Sequence, residues 1–473
     1  MLVSCLKLNG VRPLYSVIRK SSQKVEDILC LYGDETYDFK DRYRVLDEKD
    51  YSRFISQRSM KREPAITRSM TSLAYKIGKE MISLAEGMPN EQIFPFDRIE
   101  ISTKTGGKIL LEGDELDMSL QYLPSQGLPS LLSLLREFQQ DVHRPPPLER
   151  DVLITNGSQH GIYQCVDLLV DPGDPVITTE FTFTGFNSAL RPYDPEILAI
   201  PEDEDGLIPS LLEECLSQRS ALGQRMPRLL YTIPTGNNPT GTVLPAHRRR
   251  QIYELACKYD FLIVEDDPYA FLNYTDTRPP SFLSMDQCGR VIRLDSVSKV
   301  VCAGLRGAWA TLPAPLLHRA ELHMQAELLH PCTLAQVILH RVLEARGSLA
   351  AHVERTRALC RQRRDALGAA LAGARDLPQF ARWDTPRAGL FYWLTLHDVP
   401  DAYDMAFRTA LSHGLLVCPG QAFTFATRAP APHVRLTFTR APLAALRGAA
   451  ERLRDVLRAE SARPPRRLRA TDG

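Results

Sequence analysis

Arg290-Val-Ile-Arg-Leu-Asp-Ser-Val-Ser-Lys299, followed by Gly304-Leu305-Arg306, is the stretch that decides the fold. It reads as a short strand ending in two hydroxyls and an amine. An amine at the end of a buried strand forms a Schiff base with an aldehyde once its pKa is lowered. Guanidinium and hydroxyl donors beside it suit phosphate oxygens. An aldehyde and a phosphate on one small molecule describe pyridoxal 5'-phosphate (PLP). A strand-end lysine is more often a solvated surface residue, so the reading depends on what stands before and after it.

Upstream, strands and helices alternate, which implies a mainly parallel sheet with helices on its faces. Asp151-Val-Leu-Ile-Thr155 is a compact apolar strand running into Asn156-Gly157-Ser158-Gln159. Ile162, Val166 and Leu169 then recur at helical spacing until Asp171-Pro172-Gly173. A helix starting there presents backbone N–H groups at the positive end of its dipole, a ready phosphate site. An ordinary capped helix has the same signature. The next strand, Pro175-Val-Ile-Thr-Thr-Glu180, leads to Phe181-Thr-Phe183-Thr-Gly185. Arg228-Leu-Leu-Tyr-Thr-Ile233 runs into the turn Pro234-Thr-Gly-Asn-Asn-Pro-Thr-Gly241, and Phe261-Leu-Ile-Val264 into Glu265-Asp266-Asp267-Pro268-Tyr269. Four strand ends thus carry polar clusters, and open parallel sheets bind ligands at the carboxyl ends of their strands.

Earlier, Gln121-Tyr122-Leu-Pro-Ser-Gln-Gly127 leads into a helix with Pro129 in its first turn. Beyond Pro313 the chain turns Ala-, Leu- and Arg-rich. Helices are expected over His318–Gly347 and Ala350–Gly373, with strands over Arg387–Thr395, Leu415–Gly420 and His433–Phe438. These describe a smaller α+β domain.

Length and composition set the frame. At 473 residues the chain should carry two or three core-forming units, at about 100–200 residues per domain. A net charge of +1 gives no reason to expect nucleic acid or an anionic membrane as partner. No apolar run approaches the ~18 residues of a membrane span. The ten cysteines are scattered, with no C-x-x-C pair and no His/Cys cluster, so neither a metal site nor a disulfide framework is expected. Residues 1–25 hold Lys7, Arg12, Arg19, Lys20 and Lys24 and no acid. That composition fits a mitochondrial transit segment or a disordered terminus, leaving the mitochondrial matrix or the cytoplasm as the location.

Taken together the motifs resemble the fold-type I PLP-dependent aminotransferases, and most of all the kynurenine/α-aminoadipate aminotransferase group. The likeness covers Tyr51 to Glu460. It rests on Met81-Ile-Ser-Leu-Ala, Gly157-Ser-Gln, Tyr231–Gly241, Glu265–Tyr269, Asp295–Lys299, Gly304-Leu-Arg306 and Arg435.

The resemblance implies roles. Lys299 holds PLP and moves a proton between the substrate α-carbon and the cofactor. Asp266 pairs with the ring nitrogen, while Tyr269 and Asn238 bond the phenolic oxygen. Phe183 stacks on the ring, where close relatives usually have Tyr. Ser158, Gln159, Ser296, Ser298 and Arg306 bind the phosphate, and Tyr122 reaches the phosphate of a partner subunit, which implies a homodimer. Arg435 forks onto the substrate carboxylate. Arg68 contacts the distal end of the substrate, Gly87 lies in the pocket wall, and Asn238 lines the substrate site. The implied reaction moves an amino group from an amino acid such as kynurenine or 2-aminoadipate to a 2-oxo acid such as 2-oxoglutarate.

The implied fold is an α/β large domain over residues 96–335 and a small domain over 336–460. An extension (1–50), an arm (51–95) and a basic tail (461–473) flank them. Three positions depart from the family: Glu86 where relatives carry glycine, Met88 at the pocket wall, and Gly307-Ala308 in inverted order. Two other readings stand beside this one. A fold-type I lyase shares the lysine and aspartate, and a non-enzymatic aminotransferase-like sensor needs an amino-terminal DNA-binding module that the first 50 residues do not supply.

Overall fold

The computed structural model describes residues 38–77, 82, 84, 85, 87–426 and 429–462. Seven strands form the central sheet: β1 (Arg150–Asn156), β2 (Pro175–Thr179), β3 (Glu196–Ile200), β4 (Leu229–Thr232), β5 (Leu262–Asp266), β6 (Val291–Ser296) and β7 (Gly307–Pro313). Their order across the sheet is β1-β7-β6-β5-β4-β2-β3. Every neighbouring pair is parallel except those made by β7, which runs antiparallel to β6 and to β1. A parallel return needs a crossover of roughly a dozen residues or more. The link from Val297 to Arg306 is too short for that, so β7 turns back.

β2, β4, β5, β6 and β7 are buried along their whole length, as a sheet covered on both faces requires. Helix Ser158–Leu169 seals one face, with Ile162, Val166 and Leu169 fully buried. Burying each such side chain is worth about 1.5–3 kcal/mol. Helix Pro129–His143 starts with Pro129, as expected from the sequence.

The smaller sheet is antiparallel: β8 (Ala381–Trp383), β9 (Phe391–Leu396), β10 (Cys418–Pro419) and β11 (His433–Thr437), in the order β8-β9-β11-β10. Helices Arg346–Gly373 and Leu446–Ser461 pack on each other and share its core.

Several expected bounds change, and the strand expected over Arg387–Thr395 runs only over Phe391–Leu396. The helix expected over His318–Gly347 is two helices, Ala314–Glu327 and Thr333–Glu344. Leu329 takes a left-handed φ of 63° between them, and Pro331 has no N–H to continue a helix. The strand expected over Leu415–Gly420 narrows to Cys418–Pro419, with Leu416 in solvent.

Packing also begins before Tyr51. Phe39 is buried edge-on against Tyr253, at 4.8 Å between centroids, and Leu46 N–H donates to the Cys288 carbonyl at 3.0 Å. A single aromatic in a mixed-charge run leaves no period to read. The transit-like segment, Glu86 and the basic tail from Arg463 lie outside the described residues.

Candidate active site

Strand register gathers the sequence-derived candidates at one edge of the sheet. Asp266 closes β5 beside Leu294 of β6, Ser296 lies opposite Ala308, and Gly307 lies opposite Asn156. The polar segments that follow β1, β4, β5 and β6 therefore leave the sheet at the same end.

At one side of this edge sits an acid. Asp266 is buried, and its Oδ2 accepts the Tyr231 hydroxyl at 2.6 Å. Tyr231 is held in place by Phe186, stacked at 4.0 Å with 4° between the ring planes. Oδ1 of Asp266 is buried without a hydrogen-bond partner. Burial, helped by the charges of Asp267 and Asp295, pushes Asp266 up to about 7, against the Tyr231 hydrogen bond and Arg293. A cationic ring N–H against Oδ1 would restore the charged form.

At the other side sits a set of donors. Ser158 and Gln159 open helix Ser158–Leu169, and Ser158 Oγ is buried without a partner. Gln159 Nε2 donates to the Gly185 carbonyl at 2.9 Å. Ser296 Oγ lies 2.9 Å from Ser298 Oγ and accepts the Ser298 N–H at 3.1 Å. The Arg306 guanidinium reaches over the start of the helix. A Cβ on Gly157 would stand 2.0 Å from Arg306 Nη2, and Gly157 has φ +81°. Only glycine lets the guanidinium and the helix start share this space.

Between the two sides stands Lys299. Lys299 is exposed at this edge. Burial, then the charges of Arg306 and Arg435, lowers its pKa, and Asp266 works the other way. These four groups therefore share one field. Tyr269 is buried; burial and Asp266 push its hydroxyl up, and a hydrogen bond with Asn238 opposes them. Asn238 Oδ1 also accepts from Arg435 Nη1 at 2.6 Å. Phe183 caps the short helix Thr184–Leu190, its ring against Gly185, where an added Cβ would meet Cε1 at 2.4 Å.

The residues fit PLP: a buried acid with an acceptor atom lacking a donor, a lysine of lowered pKa, and a helix start with hydroxyls and a guanidinium for a phosphate. PLP is the cofactor of this site.

Three candidates lie outside this cluster of contacts. Arg68, on helix Ile66–Ile77, is buried and donates to Ser125 Oγ at 3.2 Å and to the Leu123 carbonyl. Tyr122 is half-exposed and edge-on to the His330 ring at 5.8 Å. A Cβ on Gly87 would meet nothing within 4 Å.

Sequence reasoning assigned no role to three residues that the structure puts in the site. Tyr231 holds Asp266. Phe391 and Phe423 both lie against Arg435, their ring centroids 4.1 and 4.7 Å from its guanidinium carbon. A lone tyrosine in the aliphatic strand Leu-Leu-Tyr-Thr was a readable signal for the first. The aromatic pair comes from two distant segments and left none.

His160, His323 and Glu327 bring three ligand-type atoms within 4.8 Å of one another. The Asn156 N–H donates to His160 Nδ1 at 3.1 Å, so neutral His160 carries its hydrogen on Nε2, which faces Glu327 Oε2 at 3.0 Å. That tautomer makes a hydrogen bond rather than a metal ligand.

A profile described as aminotransferase class I and II matches residues 110–453. The kynurenine/alpha-aminoadipate aminotransferase, mitochondrial, of Rattus norvegicus is 39% identical over 404 residues, covering 82% of this chain and 95% of that one. Among solved structures, aminotransferase Aro8 from Candida albicans superposes with a TM-score of 0.77 at 27% identity, covering 89% of this chain and 99% of that chain. The Pyrococcus horikoshii kynurenine aminotransferase, in complex with PMP, KYN as substrates and KYA as products, gives 0.70 at 28% identity, covering 87% and 98%.

Proposed function

The chain belongs to the class I and II aminotransferases, PLP-dependent enzymes that pass an amino group from an amino acid to a 2-oxo acid, and we propose that its donor is kynurenine, 2-aminoadipate or another large or aromatic amino acid, with 2-oxoglutarate or a similar 2-oxo acid as acceptor. The observation that carries this reading is the Arg435 guanidinium, flanked by Phe391 and Phe423 and tied by one nitrogen to Asn238. One nitrogen is taken, and the fork keeps further N–H donors for a carboxylate. The aromatic walls favour a substrate with a flat or long apolar part. The names of the relatives point the same way.

PLP supplies an electrophilic carbon and a ring that takes up the electrons released at the α-carbon. The protein's proposed part is positioning and proton transfer. Arg435 fixes the α-carboxylate, so that the α-hydrogen faces Lys299. Lys299 Nζ, its pKa lowered by burial and two guanidinium groups, would take that proton from the α-carbon and return it on the cofactor side of the amino nitrogen. Asp266 holds a proton on the ring nitrogen, and Tyr269 and Asn238 bond the phenolic oxygen. Ser158, Gln159, Ser296, Ser298 and Arg306 anchor the phosphate. Arg68 and Gly87 are proposed to border the distal end of the substrate.

A homodimer completes the proposal, with Tyr122 reaching the partner's phosphate. Ile66, Ile93 and Phe96 are exposed apolar residues in the same amino-terminal part of the chain, as a covered face would need. No helix among the described residues is long and apolar enough to cross a membrane. The mitochondrial matrix or the cytoplasm is the proposed location.

A panel of amino acids and 2-oxo acids with the purified protein tests the substrate class. Kynurenine, 2-aminoadipate or aromatic donors should lead the panel. Arg435→Lys should raise KM for the leading donor by about tenfold to a hundredfold, since a lysine cannot copy the fork. A panel led by small aliphatic amino acids, with KM indifferent to Arg435→Lys, would refute the substrate reading.

A further inference from the structure

Glu202 opens a hairpin just past the end of β3, where Glu202–Asp203 pairs with Gly206–Leu207. Its carboxyl group turns inward. Oε1 accepts from Asn237 Nδ2 at 2.9 Å and from Thr240 Oγ1 at 3.5 Å, and the Phe181 N–H lies against the same carboxyl. Oε2 is buried and has no hydrogen-bond partner. Asn237 is in turn the fixed point of its loop. Its N–H donates to the Thr242 carbonyl at 3.0 Å, and its carbonyl accepts from the Gly241 N–H at 2.7 Å. The next residue is Asn238, which holds Arg435 at 2.6 Å. Phe181 stands two residues before Phe183.

One carboxyl group thus bridges the segments that follow β2 and β4. We propose that Glu202 is a positioning residue: it locks the Asn237–Asn238 turn to the Phe181–Phe183 segment and thereby sets Asn238 and Phe183 against the cofactor ring. This rests on the reading of Asn238 and Phe183 as cofactor contacts.

The chemistry of the place favours the neutral acid. Burial, with the charge of Glu180, pushes Glu202 up to about 8, against the hydrogen bonds from Asn237 and Thr240 and the nearby Phe181 N–H. Asp203 and Asp205 on the same hairpin are paired outward, each at 2.6 Å, with Arg248 and Arg387. An ionised Glu202 would leave charge on an oxygen without a donor, beside Glu180. The folded pKa lies above the ordinary 4.5, so the folded state prefers the protonated form. This contribution to stability is complete below the ordinary carboxyl range and is lost as pH rises through about 8.

The test compares wild type, Glu202→Gln, Glu202→Ala and Asn238→Ala in two measurements: melting temperature from pH 5 to 9, and PLP affinity by fluorescence titration of the apoprotein at pH 7. Glu202→Gln cannot ionise, so its melting temperature should fall less than that of wild type toward pH 9. Glu202→Ala should weaken PLP binding by roughly fivefold to tenfold, the loss of about one buried hydrogen bond, with Glu202→Gln within about twofold of wild type. Parallel melting curves for wild type and Glu202→Gln would overturn the neutral acid. If Asn238→Ala weakened PLP binding and Glu202→Ala did not, the positioning role would fall alone. If neither weakened it, the cofactor reading of Asn238 would fall too.

Discussion

Two sets of charged side chains hang from β5, β6 and the residue after β5, and differ in whether the protein pairs them with an opposite charge. Residues alternate faces along a strand. On one face Arg293 is fully buried and contacts Asp295 (2.8 Å), Glu265 (3.1 Å) and Asp267 (3.3 Å). Gln139 donates to Asp295, and the backbone N–H groups of Phe282 and Leu283 donate to Glu265. On the other face Asp266 has Tyr231 on one oxygen and nothing on the second. Asp267 Oδ1 is also buried without a hydrogen-bond partner, but its carboxylate is paired with Arg293 at 3.3 Å, and this internally paired knot holds the sheet together. A charge left half-satisfied at the sheet edge is held ready for a ligand.

The sharpest break of that contrast is Arg293→Leu. It strands three carboxylates in the core and should cost about 3–5 kcal/mol of folding stability, read by urea unfolding. A small change would mean that the knot is not structural. Asp266→Asn should do the reverse. Its turnover should fall by about 10²–10³-fold, while the apoprotein gains stability at neutral pH. The sign follows from a folded pKa of about 7 against an ordinary 3.8. Asp266 contributes stability that is complete below the ordinary value and lost as pH rises through about 7. The gain of Asp266→Asn over wild type should therefore grow from pH 4 to pH 8, as thermal melts of the two apoproteins would show. Tyr231→Phe is the smallest of the three. It removes a hydrogen bond that favours the charged acid, so the acid limb of kcat should move to higher pH, with turnover down by about tenfold.

The same contrast explains what could be read in advance. Five of the seven central strands, β1, β2, β4, β5 and β6, were legible as short runs rich in apolar residues that end in polar or turn-forming residues, whereas β3 and β7 were not read as strands. The clusters at Asn156, Asn238, Asp266 and Lys299 stood at those stops, and the register of β1, β5, β6 and β7 brings their segments to one edge. Contacts between distant segments were not legible. The Phe391–Arg435–Phe423 contact joins β9, β11 and the 3-10 helix Gly420–Phe423 after β10, and nothing local to any of them marks it. The break at Leu329 was hidden because Leu328-Leu329-His330 continues a helical pattern, and only Pro331 argues against it. Phe39 docks on Tyr253 through a contact that spans over two hundred residues, which periodicity cannot see.

The central claim is that Lys299 and Asp266 face one PLP ring from two sides. Reducing the holoenzyme with borohydride, digesting it and locating the pyridoxyl mass by peptide sequencing tests it most directly. The account predicts the mass on the peptide that contains Lys299 and none in Lys299→Ala. A pyridoxyl group on another lysine, with Lys299 unmodified, would contradict it.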